Sequence, residues 1–148
     1  MTERTDTRRE DYFVFQPITT RWMDNDIYGH VNNVTYYSYF DTAVNLYLIE
    51  EGGLDIHQAP VVGFVVDSRC SYRRPIAYPD RIEAALRVDR LGNSSVQYGI
   101  GIFREGEPQA CAYGHFVHVF VDRESNKPTP IPAPIRSALE RICVTPGP

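Results

Sequence analysis

One long helix lying on a five-stranded antiparallel sheet, an α+β domain, is the fold class this sequence predicts. Three observations carry it. Aromatic and apolar residues recur at helical spacing over 33–50, too long a run for a strand. Later segments alternate at a period of two. Turn-forming residues separate those segments, and one further extended segment precedes the helix.

Taken in order, residues 1–11 are polar and charged and read as a flexible tail; a single domain follows over 12–143, with a short tail over 144–148. The stretch 12–22 is extended. Pro17 has no amide to give to a ladder, so the strand proper is expected from Ile18. It ends in a loop over 24–29. The helix over 33–50 carries Tyr36, Tyr37, Phe40, Val44, Tyr47 and Leu48 at helical spacing, with Ala43 between them. At 1.5 Å per residue it is about 27 Å long. Gly52-Gly53 stops it. Strands follow over 61–74, 81–90, 96–103 and 109–121. Ile82, Ala84, Leu86 and Val88 alternate with charged residues, and Val96, Tyr98, Ile100 and Ile102 share a face. The connections read as short turns, so these four strands are expected to form a meander in chain order. Pro128, Pro130, Pro132 and Pro134 lead into a short C-terminal helix with Ile135, Leu139 and Ile142 on one side.

Composition narrows the function classes. The chain has 148 residues, 43% hydrophobic and 23% charged, the balance of one globular domain. A net charge of −4 and the lack of any Lys/Arg block argue against a nucleic-acid partner. Cys70, Cys111 and Cys143 are odd in number and far apart, which suggests neither a zinc site nor a disulfide framework, and points to a reducing, cytoplasmic setting. The polar start is not a signal peptide, and no apolar run nears the ~20 residues that cross a bilayer. No G-x-S-x-G elbow and no Gly-rich phosphate loop occurs.

Acid, imidazole, amide and glycine crowd together in one stretch, 24–39. Asp24 and Asp26 stand two residues apart, and Gly29, His30, Asn32 and Asn33 follow. Gly29 can take the positive φ of a tight loop. Asn32 and Asn33 are good N-cap residues for the helix behind them. The loop therefore delivers a carboxylate and a histidine to a helix N-terminus, where free amides favour negative charge. That arrangement suits hydrolysis of an ester-like carbonyl: the carboxylate activates water or attacks, and an amide holds the oxyanion. Asp24 reads instead as a loop-shaping hydrogen-bonder. A metal held by Asp24, Asp26 and His30 lacks a fourth ligand, so none is expected. His115 and His118, three apart in a strand, point to opposite faces and form no joint site.

The run Arg21-Trp22-Met23-Asp24-Asn25-Asp26, with Gly29-His30-Val31-Asn32-Asn33 and Tyr36, resembles the hotdog-fold acyl-CoA thioesterases of the 4-hydroxybenzoyl-CoA thioesterase type. The likeness extends over about 18–134, through Tyr72-Arg73-Arg74-Pro75, Leu91-Gly92-Asn93-Ser94-Ser95 and Val119-Phe120-Val121-Asp122. It implies the hotdog fold, a sheet wrapped around one central helix. It implies a hydrolase acting on an acyl-CoA thioester, with Asp26 as nucleophile or general base and the Asn33 amide at the thioester oxygen. His30 orients the substrate, tunes Asp26 or serves the loop alone; Gly29 sets the loop geometry. Tyr37, Phe40, Val62 and Phe64 are candidates for the acyl slot, and Arg73, Arg74, Arg90, Ser94 and Ser95 for coenzyme A. The resemblance implies no cofactor beyond coenzyme A in the substrate, and a homodimer or homotetramer with sites at the dimer interface. Two alternatives stay open: a non-catalytic binder of acyl thioesters on coenzyme A or a carrier protein, and a hotdog hydratase, whose D-x-N-P-x-H pattern this chain lacks.

Overall fold

A computed structural model describes residues 7–144. Strand β1 (Val14–Thr19) leads through the loop to helix α1 (Asn33–Glu50), followed by β2 (Val61–Tyr72), β3 (Arg81–Leu91), β4 (Ser95–Arg104), β5 (Ala112–Asp122) and helix α2 (Ala133–Glu140). All five strands pair antiparallel in the order β1-β3-β4-β5-β2.

The helix begins and ends where the sequence places it. The Asn32 side chain accepts from the Val34 amide at 2.9 Å and caps the first turn. At the other end Gly53, at φ +70°, turns the chain so that the Leu54 amide donates to the Leu48 carbonyl. Phe40, Ala43 and Val44 are fully buried against Leu86, Val88, Tyr98, Ile100 and Phe116 of the sheet. Short α2 closes the end of the core, where the Tyr47 hydroxyl donates to the Ala138 carbonyl.

Three expectations need correction. Strands two to five do not run as a meander: β3, β4 and β5 do, but β2 lies beyond β5 at one edge and β1 beside β3 at the other. The β2–β3 connection is no tight turn. It holds Pro75 and Pro79 and is fixed to the start of β5 by the Arg73 and Arg74 amides, both donating to the Cys111 carbonyl. Second, β1 starts at Val14 and includes Pro17, paired with Glu83. Edge position makes this possible, since a missing amide costs a ladder bond only where a neighbour needs it. Third, the N-terminal segment is packed from Thr7 onward; residues 1–6 lie outside the described residues. The Ala110 amide donates to the Thr7 carbonyl, and the Arg9 guanidinium lies 5.2 Å from the Phe15 ring and 5.0 Å from Phe103. This strap covers a second apolar cluster, Tyr12, Ala85, Phe103 and Ala110, on the sheet face away from α1. Likewise Val144 is held, its amide donating to Val88.

Strand β2 offers no partner along its outer edge among the described residues, and Phe64, Val65 and Val66 are 47, 44 and 59% exposed. No helix is long and apolar enough to cross a membrane.

His118 is the one buried histidine. Its ring packs between Tyr98, Phe116 and Phe120 and lies over Gly63, where an added Cβ would meet Nδ1 at 2.9 Å. Burial pushes its pKa down from 6.5 to about 4. Between those values the unfolded chain takes up a proton that the folded chain refuses, so the His118 contribution to stability falls as pH drops from 6.5 to about 4, a loss of about 3 kcal/mol. Chemical denaturation across that pH range should show the slope in the wild type and a nearly flat line in His118→Phe.

Candidate active site

The loop before α1 is built on Asp24, which is 2% exposed. Its Oδ2 accepts from the Arg21 amide at 2.9 Å and the Tyr39 hydroxyl at 2.8 Å, and its Oδ1 accepts from Arg21 Nη2 at 2.9 Å. Burial works against its charge, but the Arg21 amide, the Tyr39 hydroxyl and the Arg21 guanidinium outweigh it and hold the carboxyl below its usual range. Through Tyr39 on α1, this carboxylate fastens the loop to the helix. The Asn32 amide donates to the Asp24 carbonyl at 2.9 Å, fixing where α1 starts.

Asp26 heads a tight turn. Its amide donates to the His30 carbonyl at 2.9 Å, and the Gly29 amide donates back to the Asp26 carbonyl at 3.0 Å, with Gly29 at φ +84°. The carboxylate stays partly exposed. Oδ1 accepts from the Tyr28 amide at 2.9 Å, while Oδ2 has only the Asn32 side-chain amide, at 3.5 Å. One oxygen is therefore anchored and the other is left available. Asn33 is the first residue of α1, so its amide has no partner inside the helix.

Beside this loop lies a cleft of about 250 Å³ walled by His30, Asn33, Tyr36, Tyr72, Arg73 and Arg74. Of the residues expected from sequence, His30, Asn33, Arg73 and Arg74 come together here, and Asp26 adjoins them through its bond to His30. Gly29 sits at the turn. Arg74 is tied to Gln109 Oε1 at 3.2 Å and the Ala110 carbonyl at 3.1 Å, so it braces β5; Arg73 is exposed. The others lie elsewhere. Phe40 is fully buried against Phe116, its ring 6.2 Å away, and belongs to the core; Tyr37 beside it is half-buried. Phe64 pairs with Val119, which points away from buried His118 and Phe120, so Val62 and Phe64 occupy the face opposite Phe40. Those four residues form no common slot within one chain. Arg90 and Ser95 wall a separate cleft of about 340 Å³ with Gln97 and Val117, next to Ser94, whose carbonyl accepts from the Phe120 amide. The row of Val117 is five residues along β5 from Ala112, the partner of Tyr72, or about 17 Å.

Sequence reasoning gave no site role to Tyr72 or Tyr36. The Tyr72 hydroxyl donates to the Asn33 carbonyl at 3.2 Å, and its ring meets Tyr36 edge-on at 5.0 Å. Burial pushes Tyr36 up to about 12 and raises Tyr72 as well, so both remain protonated donors at neutral pH. Nothing in local spacing joins residue 72 to 33; only the packing of α1 along β2 does. The loop also carries a cluster of exposed apolar side chains, Trp22, Met23, Ile27, Tyr28 and Val34.

Residues 20–139 match the thioesterase-like superfamily. The chain belongs to that superfamily. Its sheet, long helix and short C-terminal helix are the hotdog fold. It is similar to the PA5185 protein of Pseudomonas aeruginosa strain PAO1, with 62% identity over 93% of this chain and 96% of that one and a TM-score of 0.92. The PA2801 protein of Pseudomonas aeruginosa is 31% identical over 84% of this chain and 95% of its own, with a TM-score of 0.77. Slr0204, a 1,4-dihydroxy-2-naphthoyl-CoA thioesterase from Synechocystis, shares the fold at 17% identity and a TM-score of 0.77, over 84% of this chain and 93% of that one.

The two carboxylates of this superfamily member should separate cleanly in a urea titration. Asp24→Asn removes a buried charge that holds several donors and should cost about 2 kcal/mol. Asp26→Asn, at a partly exposed position, should stay within about 0.5 kcal/mol of wild type.

Proposed function

We propose that the protein hydrolyses an acyl-CoA thioester to the free acid and coenzyme A. The observation that carries this reading is the Asp26 carboxylate, anchored through one oxygen and with only a 3.5 Å contact at the other, close to the Asn33 amide, which has no partner inside the helix it starts. The thioester oxygen sits at that amide, where the helix N-terminus stabilises the charge that develops on it. The free oxygen of Asp26 takes a proton from water as the water oxygen bonds to the carbonyl carbon, or attacks that carbon itself. The carbon–sulfur bond then breaks, and the thiolate leaves with that proton; after direct attack, water opens the acyl–Asp26 anhydride. His30 and Tyr72 flank the reacting group. Arg73 is an exposed cation at the cleft, placed to meet a coenzyme A phosphate, whereas Arg90 and Ser95, with Ser94 next to them, border the cleft of Gln97 and Val117 on the opposite face of the sheet. The named activity of Slr0204 on an acyl-CoA supports the substrate class.

The working unit in this reading is a two-fold dimer formed through β2. A long apolar edge strand with no partner invites pairing, and a strand pairing with its own copy about a two-fold axis runs antiparallel. With Ser68 on the axis, Asp67 of one copy faces Arg69 of the other, and the reverse, on the same face of the sheet.

Free-thiol release from a panel of acyl-CoAs tests the chemistry. Wild type should release thiol, and Asp26→Asn should lose it by at least about a hundredfold with its fold intact. Undiminished release by Asp26→Asn removes the carboxylate from the mechanism, and silence on every thioester leaves an acyl-thioester binder. For the dimer, sedimentation should show Asp67→Arg shifted toward monomer, and adding Arg69→Asp should restore the dimer.

A further inference from the structure

We infer that Tyr72 is a positioning residue for the hydrolysis: its hydroxyl fixes the first turn of α1, and so the direction of the Asn33 amide that meets the thioester oxygen. The inference rests on the hydrolysis reading above and adds to it a residue from outside the loop. Burial does not hold the first turn of α1. Asn33 and Val34 are exposed, and the buried face of the helix begins at Tyr36. Helix ends of this kind fray unless their backbone is tied from outside. On the loop side, the Asn32 amide donates to the Asp24 carbonyl at 2.9 Å. On the sheet side, the Tyr72 hydroxyl donates to the Asn33 carbonyl at 3.2 Å. The peptide that carries the Asn33 amide lies between these two, so each neighbouring peptide is anchored to a group outside the helix. The cap bond from the Val34 amide to Asn32 Oδ1 joins two residues of the same turn and moves with it. The Tyr72 bond crosses to β2.

Tyr72 is a firm anchor. It ends β2 and pairs with Ala112 of β5. Its ring meets the buried Tyr36 ring edge-on at 5.0 Å. The Tyr36 hydroxyl in turn accepts from the Ile76 amide, so the ring that supports Tyr72 is itself tied to the β2–β3 connection. The Cys70 thiol also contacts the Tyr72 hydroxyl. Burial pushes that thiol up to about 11, so it stays uncharged and is a weak partner beside a carbonyl. An oxyanion donor counts only when it is aimed at the place where the charge develops. A misplacement of about 1 Å can cost about a hundredfold in rate. With the Tyr72 bond gone, the peptide before Asn33 stays fixed while the one after it is free to turn, and the aim of the amide between them loosens.

The test is Tyr72→Phe, which keeps the ring against Tyr36 and removes the hydroxyl alone. On the acyl-CoA that wild type cleaves fastest, kcat should fall about tenfold while KM stays within about twofold of wild type. The unnatural residue 4-aminophenylalanine at position 72 returns an N–H donor to the same place and should recover most of that loss. An unchanged kcat overturns the assignment. A loss carried by KM overturns it too, because it gives Tyr72 a direct hold on the substrate. So does a loss that 4-aminophenylalanine leaves in place. Failure of the hydrolysis reading looks different: wild type then releases no thiol from any acyl-CoA, and the tie is read by amide hydrogen exchange. The Val34 and Thr35 amides, bonded to the Asn32 side chain and carbonyl at 2.9 Å each, should exchange about fivefold faster in Tyr72→Phe. Equal exchange in the two proteins overturns the tie itself.

Discussion

The buried Asp24 carboxylate is the interaction on which the site depends. A charge at 2% exposure survives only if its oxygens are filled, and Arg21 and Tyr39 fill them. Arg21 lies before the loop and Tyr39 lies two turns into α1, so a single carboxylate joins the end of β1 to the helix. Everything downstream inherits that registration: the Asp24 carbonyl receives the Asn32 amide, Asn32 caps Val34, and Asn33 becomes the first helical residue. Asp26, two positions on, is partly exposed and engages one oxygen with the Tyr28 amide. Two acids that look equivalent in sequence thus differ in burial and in how fully their oxygens are filled.

Much of this was legible in the sequence, and for physical reasons. Helix α1 was readable at both ends because its signals are local: Asn32 before it and Gly52-Gly53 after it act within a turn. The alternation in β3 and β4 is equally local. Strand order is not. That β2 belongs beside β5 follows from pairings between residues about fifty positions apart, such as Val65 with His118, which no turn sequence announces. Pro17 misled for a related reason, since its cost depends on whether β1 is an edge strand, a property of the assembled sheet. The packing of Thr7–Tyr12 was also hidden, because a polar segment gains its place through Arg9 and Arg87 lying on the rings of Phe15, Phe103 and Tyr12.

The same division applies to the candidate site. His30 and Asn33 meet because they are neighbours in the chain, and Arg73 joins them because β2 runs antiparallel to α1. Phe40 lies in the core of this chain, and helical spacing marks a buried face without telling core from slot. Val62 and Phe64 were candidates for the same slot, whereas the pleat puts them on the other side of the sheet from Phe40. Tyr72 was given no place at the site, since its contact with Asn33 arises across the helix–strand packing and not from local spacing.

The strand order has one more consequence, for synthesis. Each edge strand is made early, β1 and β2, yet each waits for a partner made later, β3 and β5. The strap at Thr7–Tyr12 waits too, for Ala85, Phe103 and Ala110. A growing chain thus carries its apolar helix and an unpaired β2 out of the ribosome well before β5 exists to seat them. High contact order of this kind slows folding and leaves the nascent chain exposed to sticking. The fold is a late, collective event: the sheet is completed only when β5 has emerged, and the core only when α2 has followed it.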